Sequence, residues 1–176
     1  MKEEFAHMQP EPRREMISWD EIDRLIDHML PQFKREFTAM VMITRGGIVP
    51  GGLLADAMDI THILTAAVDF PAQSKTGTSS LMVWPEFIQF PAEDKLRGRP
   101  TLIVDDVWGS GRTITAVKNR VSAAGGLPET CVLHFNPHRN LFGSARPDYY
   151  AAVTDAFIVY PWEVDRGIDR VLLGEI

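Results

Sequence analysis

TLIVDDVWGSGRT, residues 101–113, is the stretch on which the reading of this chain turns. Its opening run, 101–104, is apolar and too short for a helix, the pattern of a strand buried on both faces of a parallel sheet. Such a strand delivers Asp105 and Asp106 to the carboxyl edge of the sheet, where open α/β folds bind their ligands. Gly109 and Gly111 then let the backbone turn tightly with its amides facing inward, and the helix that follows adds the partial positive charge of its N-terminus. Together these make an anion cradle that fits a phosphate. Two carboxylates beside a phosphate repel it unless they meet hydroxyls or a hard cation, so a phosphorylated sugar with Mg²⁺ satisfies both halves of the stretch. No Lys follows the glycines where a Walker loop requires one. On these residues alone the plainer reading also stands, with both carboxylates capping a turn and both glycines punctuating it.

Working outward, strands and helices alternate. Ser18 and Glu21 form a capping-box pattern, and Ile22, Leu25, Ile26 and Met29 recur at helical spacing until Pro31. The apolar run 38–44 reads as a buried strand that ends at Arg45-Gly46-Gly47, and Pro50 opens a helix after it. Residues 61–69 read as another strand. The Ser-, Thr- and Gly-rich segment 71–80 carries Lys75 and is expected to be a mobile loop, with a lid as one use. Around Pro85, LMVW and FIQF read as a bent strand or an edge pair. Past the central stretch come a helix over 113–124 ending at Gly125-Gly126, a strand over 130–135, a loop over 136–147 and a last strand, AFIVY. The order predicts an α/β fold with a parallel sheet. Residues 1–16 are expected to be a loose arm and 17–176 a single domain.

Composition narrows the function classes. A chain of 176 residues with 45% hydrophobic and 24% charged residues has the balance of one globular domain, not of a disordered segment. Its net charge of -6 and the absence of a basic run oppose a nucleic-acid partner. No apolar stretch approaches the roughly 20 residues of a membrane span, and the sequence predicts a cytoplasmic protein that does not engage a membrane. The single cysteine, Cys131, lies in an apolar run and reads as a buried thiol. His134 and His138 fall about 13 Å apart in an extended chain, which opposes a zinc pair.

The stretch hydrophobic-DDVxGSGRT resembles the 5-phosphoribosyl-1-pyrophosphate (PRPP) motif of the type I phosphoribosyltransferases. ITRGGIVPGGLLAD, 43–56, is similar to the pyrophosphate loop of the xanthine-guanine and hypoxanthine branch, and FIVYPWE, 157–163, to its base-binding segment. Each of the two added matches alone also fits a plain turn or core aromatics, but three in order are hard to obtain by accident. The resemblance implies a parallel-sheet fold with a small hood built from the N-terminal helix and the C-terminal segment. It implies a Mg²⁺-dependent transferase of the purine-salvage type, acting on PRPP and a nucleobase, assembled as a homodimer or tetramer. Asp105 and Asp106 would hold the ribose hydroxyls and Mg²⁺, while Gly109, Ser110, Gly111, Arg112 and Thr113 hold the 5-phosphate. Arg45, Gly46 and Gly47 would grip pyrophosphate, with Arg45 joining the two aspartates in catalysis. Asn136, Phe157, Ile158 and Trp162 would form the base site, and Lys75 would close over pyrophosphate.

Two positions depart from the pattern. The 6-oxopurine enzymes of the family carry an Asp where this chain has Gly109, and a Lys before Pro where it has Asn136. The first loss removes a general base. Asn136 offers both a donor and an acceptor, so either a keto or an amino group matches it. Trp108 stands where a smaller aliphatic residue is usual, either walling the pocket or packing beneath the loop. The departures leave two rivals open: a PRPP- or nucleotide-binding regulator without turnover, and a transferase with a different acceptor.

Overall fold

The computed structural model describes residues 13–70 and 84–164. Lys75 and the expected lid lie outside the described residues. Among the described residues, eight strands and four α-helices follow in the order β1 (Arg14–Met16), α1 (Trp19–Met29), β2 (Ala39–Ile43), α2 (Ile48–Ala57), β3 (Ile63–Asp69), β4 (Glu86–Gln89), β5 (Pro100–Trp108), α3 (Arg112–Ala123), β6 (Leu127–Phe135), β7 (Tyr149–Val153), β8 (Phe157–Val159) and α4 (Pro161–Val164).

Six strands form one sheet in the order β4-β3-β2-β5-β6-β7. All neighbours are parallel except β4, which pairs antiparallel with β3 at the edge after Pro85. From β2 the chain moves outward to β3, and from β5 it moves the other way to β6. The β2–β5 boundary is therefore the point where the winding reverses, and its carboxyl end is where a crevice opens.

Alternation along the central strands sends side chains into two apolar layers. Met40, Met42, Leu102, Val104, Cys131 and Leu133 meet Ile22, Ile26 and Met29 of α1 and Leu54 of α2. Val41, Ile43, Ile103 and Val132 meet Ile114, Val117 and Val121 of α3. Burial on both faces explains why β2 is apolar throughout instead of alternating. Helix α1 starts where its sequence says: Glu21 N donates to Ser18 Oγ, and Ser18 N donates back to Glu21 Oε2 at 2.8 Å. Among the described residues no helix is long and apolar enough to cross a membrane.

A second sheet forms the hood. β1 and β8 pair in parallel, with Glu15 opposite Ile158. Residues 14–16, expected in a loose arm, are thus ordered, because they supply the hydrogen-bonding partner of the C-terminal strand. Ile17, Ala156, Ile158 and Tyr160 join the α1 side of the core, so the hood is packed onto the domain and is not a separate body. Tyr149–Val153 extends the sheet past β6, a strand that the sequence reading leaves unassigned.

Candidate active site

Strand β5 does not stop where its apolar run ends but continues through both aspartates to Trp108. Its register with β2 closes at Met42 opposite Val104, whereas its register with β6 continues to Trp108 opposite Phe135. The two carboxylates therefore sit on a strand end that has a strand neighbour on one side only. On the other side lies the Arg45-Gly46-Gly47 turn. A Cβ built on Gly46 would fall 2.6 Å from the Asp106 carboxylate, and one on Gly47 would fall 2.1 Å from the Val104 carbonyl oxygen. Glycine is required at Gly47, which lies against backbone, and at Gly46 any side chain would have to displace the Asp106 carboxylate. Arg45 itself is exposed at this crevice, after a cis Thr44–Arg45 peptide bond.

Burial raises the Asp105 carboxyl well above its ordinary range, and the neighbouring Asp106 charge raises it further. Asp106 is pushed up to about 6, chiefly by burial; the Val107 N–H that donates to its Oδ1 at 2.7 Å pulls it back, and the Glu163 charge adds to the rise. Glu163, on α4, is a third acidic group bearing on the site that the sequence reading did not single out. Its Oε2 accepts from Tyr160 N at 2.9 Å.

The glycine-rich loop follows. Gly111 caps α3 with φ 78°, and a Cβ there would also lie 2.4 Å from Trp108 Nε1, so the position admits only glycine. Gly109 is different: its φ is not positive and a Cβ on it would meet nothing within 4 Å. Ser110 Oγ accepts from Arg112 N, and the Arg112 guanidinium lies 4.2 Å from the centre of the Phe70 ring. Thr113 follows in the first turn of α3, partly exposed. Trp108 packs beneath the loop, not across a pocket mouth. It is 3% exposed, stands edge-on to Phe135, and donates from Nε1 to Asn140 Oδ1 at 3.2 Å. Asn140 also accepts from Phe142 N and donates to the Gly143 and Ala145 carbonyls, while Leu141 N donates to the Ser110 carbonyl. The loop after β6 thereby braces the loop after β5.

The residues assigned to a base divide. Ile158 lies in β8, and the bonds from Phe157 N to Arg13 O and from Ile17 N to Val159 O show which edge faces β1. Alternation leaves the amide and carbonyl of Ile158 on the opposite edge. Phe157 is partly buried with the Arg14 guanidinium 5.6 Å from its ring centre. Asn136 is 2% exposed; its Oδ1 accepts from His138 N at 3.1 Å and its Nδ2 donates to the Ala156 carbonyl. Its amide thus shapes this loop and ties it to the hood. Trp162 is likewise occupied: its ring stacks on Tyr160 at 4.5 Å and 6° and meets Trp19 at 5.9 Å. These contacts pack the hood against α1.

Tyr160, quoted above only within an aromatic tail, joins the two halves. It is 1% exposed, its Oη donates to the Asp106 main-chain oxygen at 3.0 Å, and His134 Nδ1 lies 2.9 Å from the same Oη. Burial holds Tyr160 protonated, far above the ordinary tyrosine range, and lowers His134 to about 4. Nothing in local sequence spacing signals this contact, because the three residues come from three separated strands or strand ends.

Among the described residues no three His, Cys, Asp or Glu groups converge on one metal position. The donor set is instead the adjacent Asp105–Asp106 pair. It suits Mg²⁺, a hard cation that takes one or two carboxylates and completes its shell with phosphate oxygens and water. Two carboxyls whose ionisation is disfavoured by burial and mutual charge are groups that a dication would relieve.

Comparison with known proteins agrees with this architecture. Over 167 residues the chain is 28% identical to the xanthine-guanine phosphoribosyltransferase of Desulfotalea psychrophila, covering 90% of this chain and 91% of that protein. The solved purine phosphoribosyltransferase of Pyrococcus horikoshii superposes with a TM-score of 0.71 at 25% identity, over 85% of this chain and 94% of that one. The xanthine-guanine-hypoxanthine phosphoribosyltransferase of Helicobacter pylori shares the fold, with a TM-score of 0.73 at 16% identity over 90% and 99% of the two chains. Residues 14–165 match the phosphoribosyl transferase domain family. With its winding reversal, its paired aspartates and its hood, the chain belongs to that family, as a type I member of the xanthine-guanine and hypoxanthine-like branch.

Proposed function

We propose that this protein transfers the 5-phosphoribosyl group of PRPP to a ring nitrogen of a purine base, releasing pyrophosphate in a Mg²⁺-dependent reaction. The observation that carries this reading is the meeting of Gly46 and Asp106 at the β2–β5 crevice, which puts a pyrophosphate-loop pattern and a ribose-binding pattern into one site. The names of the relatives support the purine acceptor.

Asp105 and Asp106 accept hydrogen bonds from the ribose hydroxyls and fix the sugar. The amides at the start of α3, with Ser110 and Thr113, hold its 5-phosphate, and Arg112 adds charge at the same end. Arg45 and the Gly46-Gly47 amides face the pyrophosphate. As the bond from the anomeric carbon to pyrophosphate breaks, negative charge grows on the departing oxygen and positive charge on the sugar; Arg45 stabilises the first and the aspartates the second. A Mg²⁺ held by Asp105 and Asp106 with substrate oxygens would supply further positive charge toward the leaving group. Phe157 offers an apolar face to the base, and the Ile158 amide and carbonyl offer a donor and an acceptor to its edge.

The test is pyrophosphate release from PRPP and Mg²⁺ across a panel of purine and pyrimidine bases, with product masses recorded and Asp106→Ala as control. Release with a purine and the mass of its nucleotide is the expected result. Release without any base would replace the transferase with a hydrolase. PRPP binding without release would replace it with a non-catalytic sensor.

A further inference from the structure

The end of β5 that carries both aspartates loses its β2 neighbour after Val104, so only β6 holds it in the ladder. Tyr160 supplies a replacement. It stands between β8 and α4, its ring lies against Trp162 and its N–H is bonded to Glu163, so its position belongs to the hood. Its hydroxyl reaches out of the hood to the main chain of Asp106. A tyrosine hydroxyl has one proton, and that proton is spent on the Asp106 carbonyl; the contact at 2.9 Å therefore requires His134 Nδ1 to carry a hydrogen and to donate to Tyr160 Oη. This fixes His134 as the Nδ1–H tautomer. Burial, which holds the imidazole neutral, agrees with that assignment. His134 lies opposite Val107 in the β5–β6 register, so the two ends of the chain of bonds are anchored on the adjoining strands and its middle is anchored in the hood.

We propose that His134 and Tyr160 are positioning residues, a two-bond relay that sets the Asp105–Asp106 strand end relative to the hood and thereby the ribose site relative to the base site. Neither side chain touches substrate in this account. The relay rests on the phosphoribosyl-transfer reading of the site for its consequence, but not for its geometry. With the hydroxyl removed, the Asp106 carbonyl loses its bond to the hood and His134 Nδ1–H loses its acceptor, so the strand end that carries the carboxylates is no longer tied to the hood. A neutral hydrogen bond of ordinary strength corresponds to roughly a tenfold change in an equilibrium constant.

The experiment compares Tyr160→Phe, His134→Leu and His134→Asn, the last of which keeps an N–H donor where Nδ1 stands. Calorimetry with Mg²⁺ and PRPP gives the affinity, steady-state kinetics give KM for each base, and thermal unfolding gives the folded fraction. Tyr160→Phe and His134→Leu are expected to weaken PRPP binding about tenfold with base KM within about twofold, and His134→Asn to recover most of the loss. ¹⁵N NMR of the wild-type imidazole should show the neutral Nδ1–H tautomer, lost or shifted in Tyr160→Phe. Unchanged PRPP affinity in both disruptive variants, the opposite tautomer, or a loss that simply follows unfolding would overturn the relay. Wild-type protein that binds PRPP without turnover would overturn the proposed transferase and leave the relay to be judged on affinity. Wild-type protein that binds no PRPP would overturn both.

Discussion

Replacing Asp106 by Asn should make the ligand-free protein more stable while removing its affinity for PRPP. The side chains are nearly isosteric, so the contact with Gly46 is kept, and an amide oxygen can still accept from Val107 N. What disappears is the disfavoured charge. The wild-type carboxyl is pushed up from 3.8 to about 6, so the folded state binds its proton more tightly than the unfolded chain does. Stability therefore falls as pH climbs through that window and stays reduced above it. A rise of this size corresponds to at most about 3 kcal/mol at pH 8 and less than about 1 kcal/mol near pH 4. For a chain of this length the upper figure is a gain of roughly 6–12 °C in the unfolding midpoint. His134, lowered to about 4, acts in the opposite sense over the same range, because the unfolded imidazole takes up a proton first and stability rises with pH. The wild-type curve alone mixes the two effects, and the difference between wild type and variant isolates Asp106. Calorimetric unfolding from pH 4 to pH 8 is the assay, with PRPP titration alongside. A variant no more stable than wild type at pH 8, or a gain that does not shrink toward pH 4, would refute the burial argument.

Three further outcomes follow from named contacts. Gly46→Ala places a methyl 2.6 Å from the Asp106 carboxyl, and PRPP affinity measured by calorimetry should fall at least about tenfold with the far-ultraviolet dichroism unchanged; wild-type affinity would show that the turn is not pressed on β5 as described. Gly109→Asp meets nothing within 4 Å, so its unfolding midpoint should stay close to wild type, and turnover of hypoxanthine or guanine in the base panel should rise by about 10²-fold or more if a missing general base limits the reaction; a fall would assign the gap at Gly109 to acceptor shape instead. Asp148 accepts from Thr130 N, Thr130 Oγ1 and Lys118 Nζ at 2.7–2.9 Å. Burial alone would raise its pKa, but those bonds outweigh it and hold the carboxyl below 3.8, so its support is present above that value and is lost as pH falls through the folded one. Asp148→Ala should cost about 2 kcal/mol at pH 7 by urea titration, with a smaller difference at pH 3.

The central stretch was legible because its physics is local: a fully buried parallel strand is apolar in sequence, and a tight turn at the mouth of a helix shows as glycine. Even there the apolar run stops four residues before the strand's carboxyl end, since two carboxylates look like an ending when the sheet beneath them in fact continues. β1 was not legible. Arg-Glu-Met carries no apolar pattern and becomes a strand only because Phe157–Val159, more than 140 positions away, presents a free edge to it. Asn136 and Trp162 show a second kind of limit. Their chemistry suits a base, but whether an amide or a ring face is still available depends on neighbours from distant segments. Ala156 and His138 bond the first, and Tyr160 and Trp19 pack against the second.

The same limit explains why Tyr160 matters more than its sequence context suggested. Paired carboxylates on a buried strand end cost the ligand-free fold stability and repel each other, so without external support that end would relax toward water. The Gly46 turn blocks one direction of relaxation, and the Tyr160 hydroxyl, bonded to a main-chain carbonyl instead of a carboxylate, restrains the other without neutralising either charge. Both carboxylates are thus kept at the strand end and left for hydroxyls and a cation. A support of this kind must be polar enough to bond the backbone yet buried enough to exclude water. A tyrosine whose proton donates forward while a neutral histidine donates to its oxygen meets both conditions.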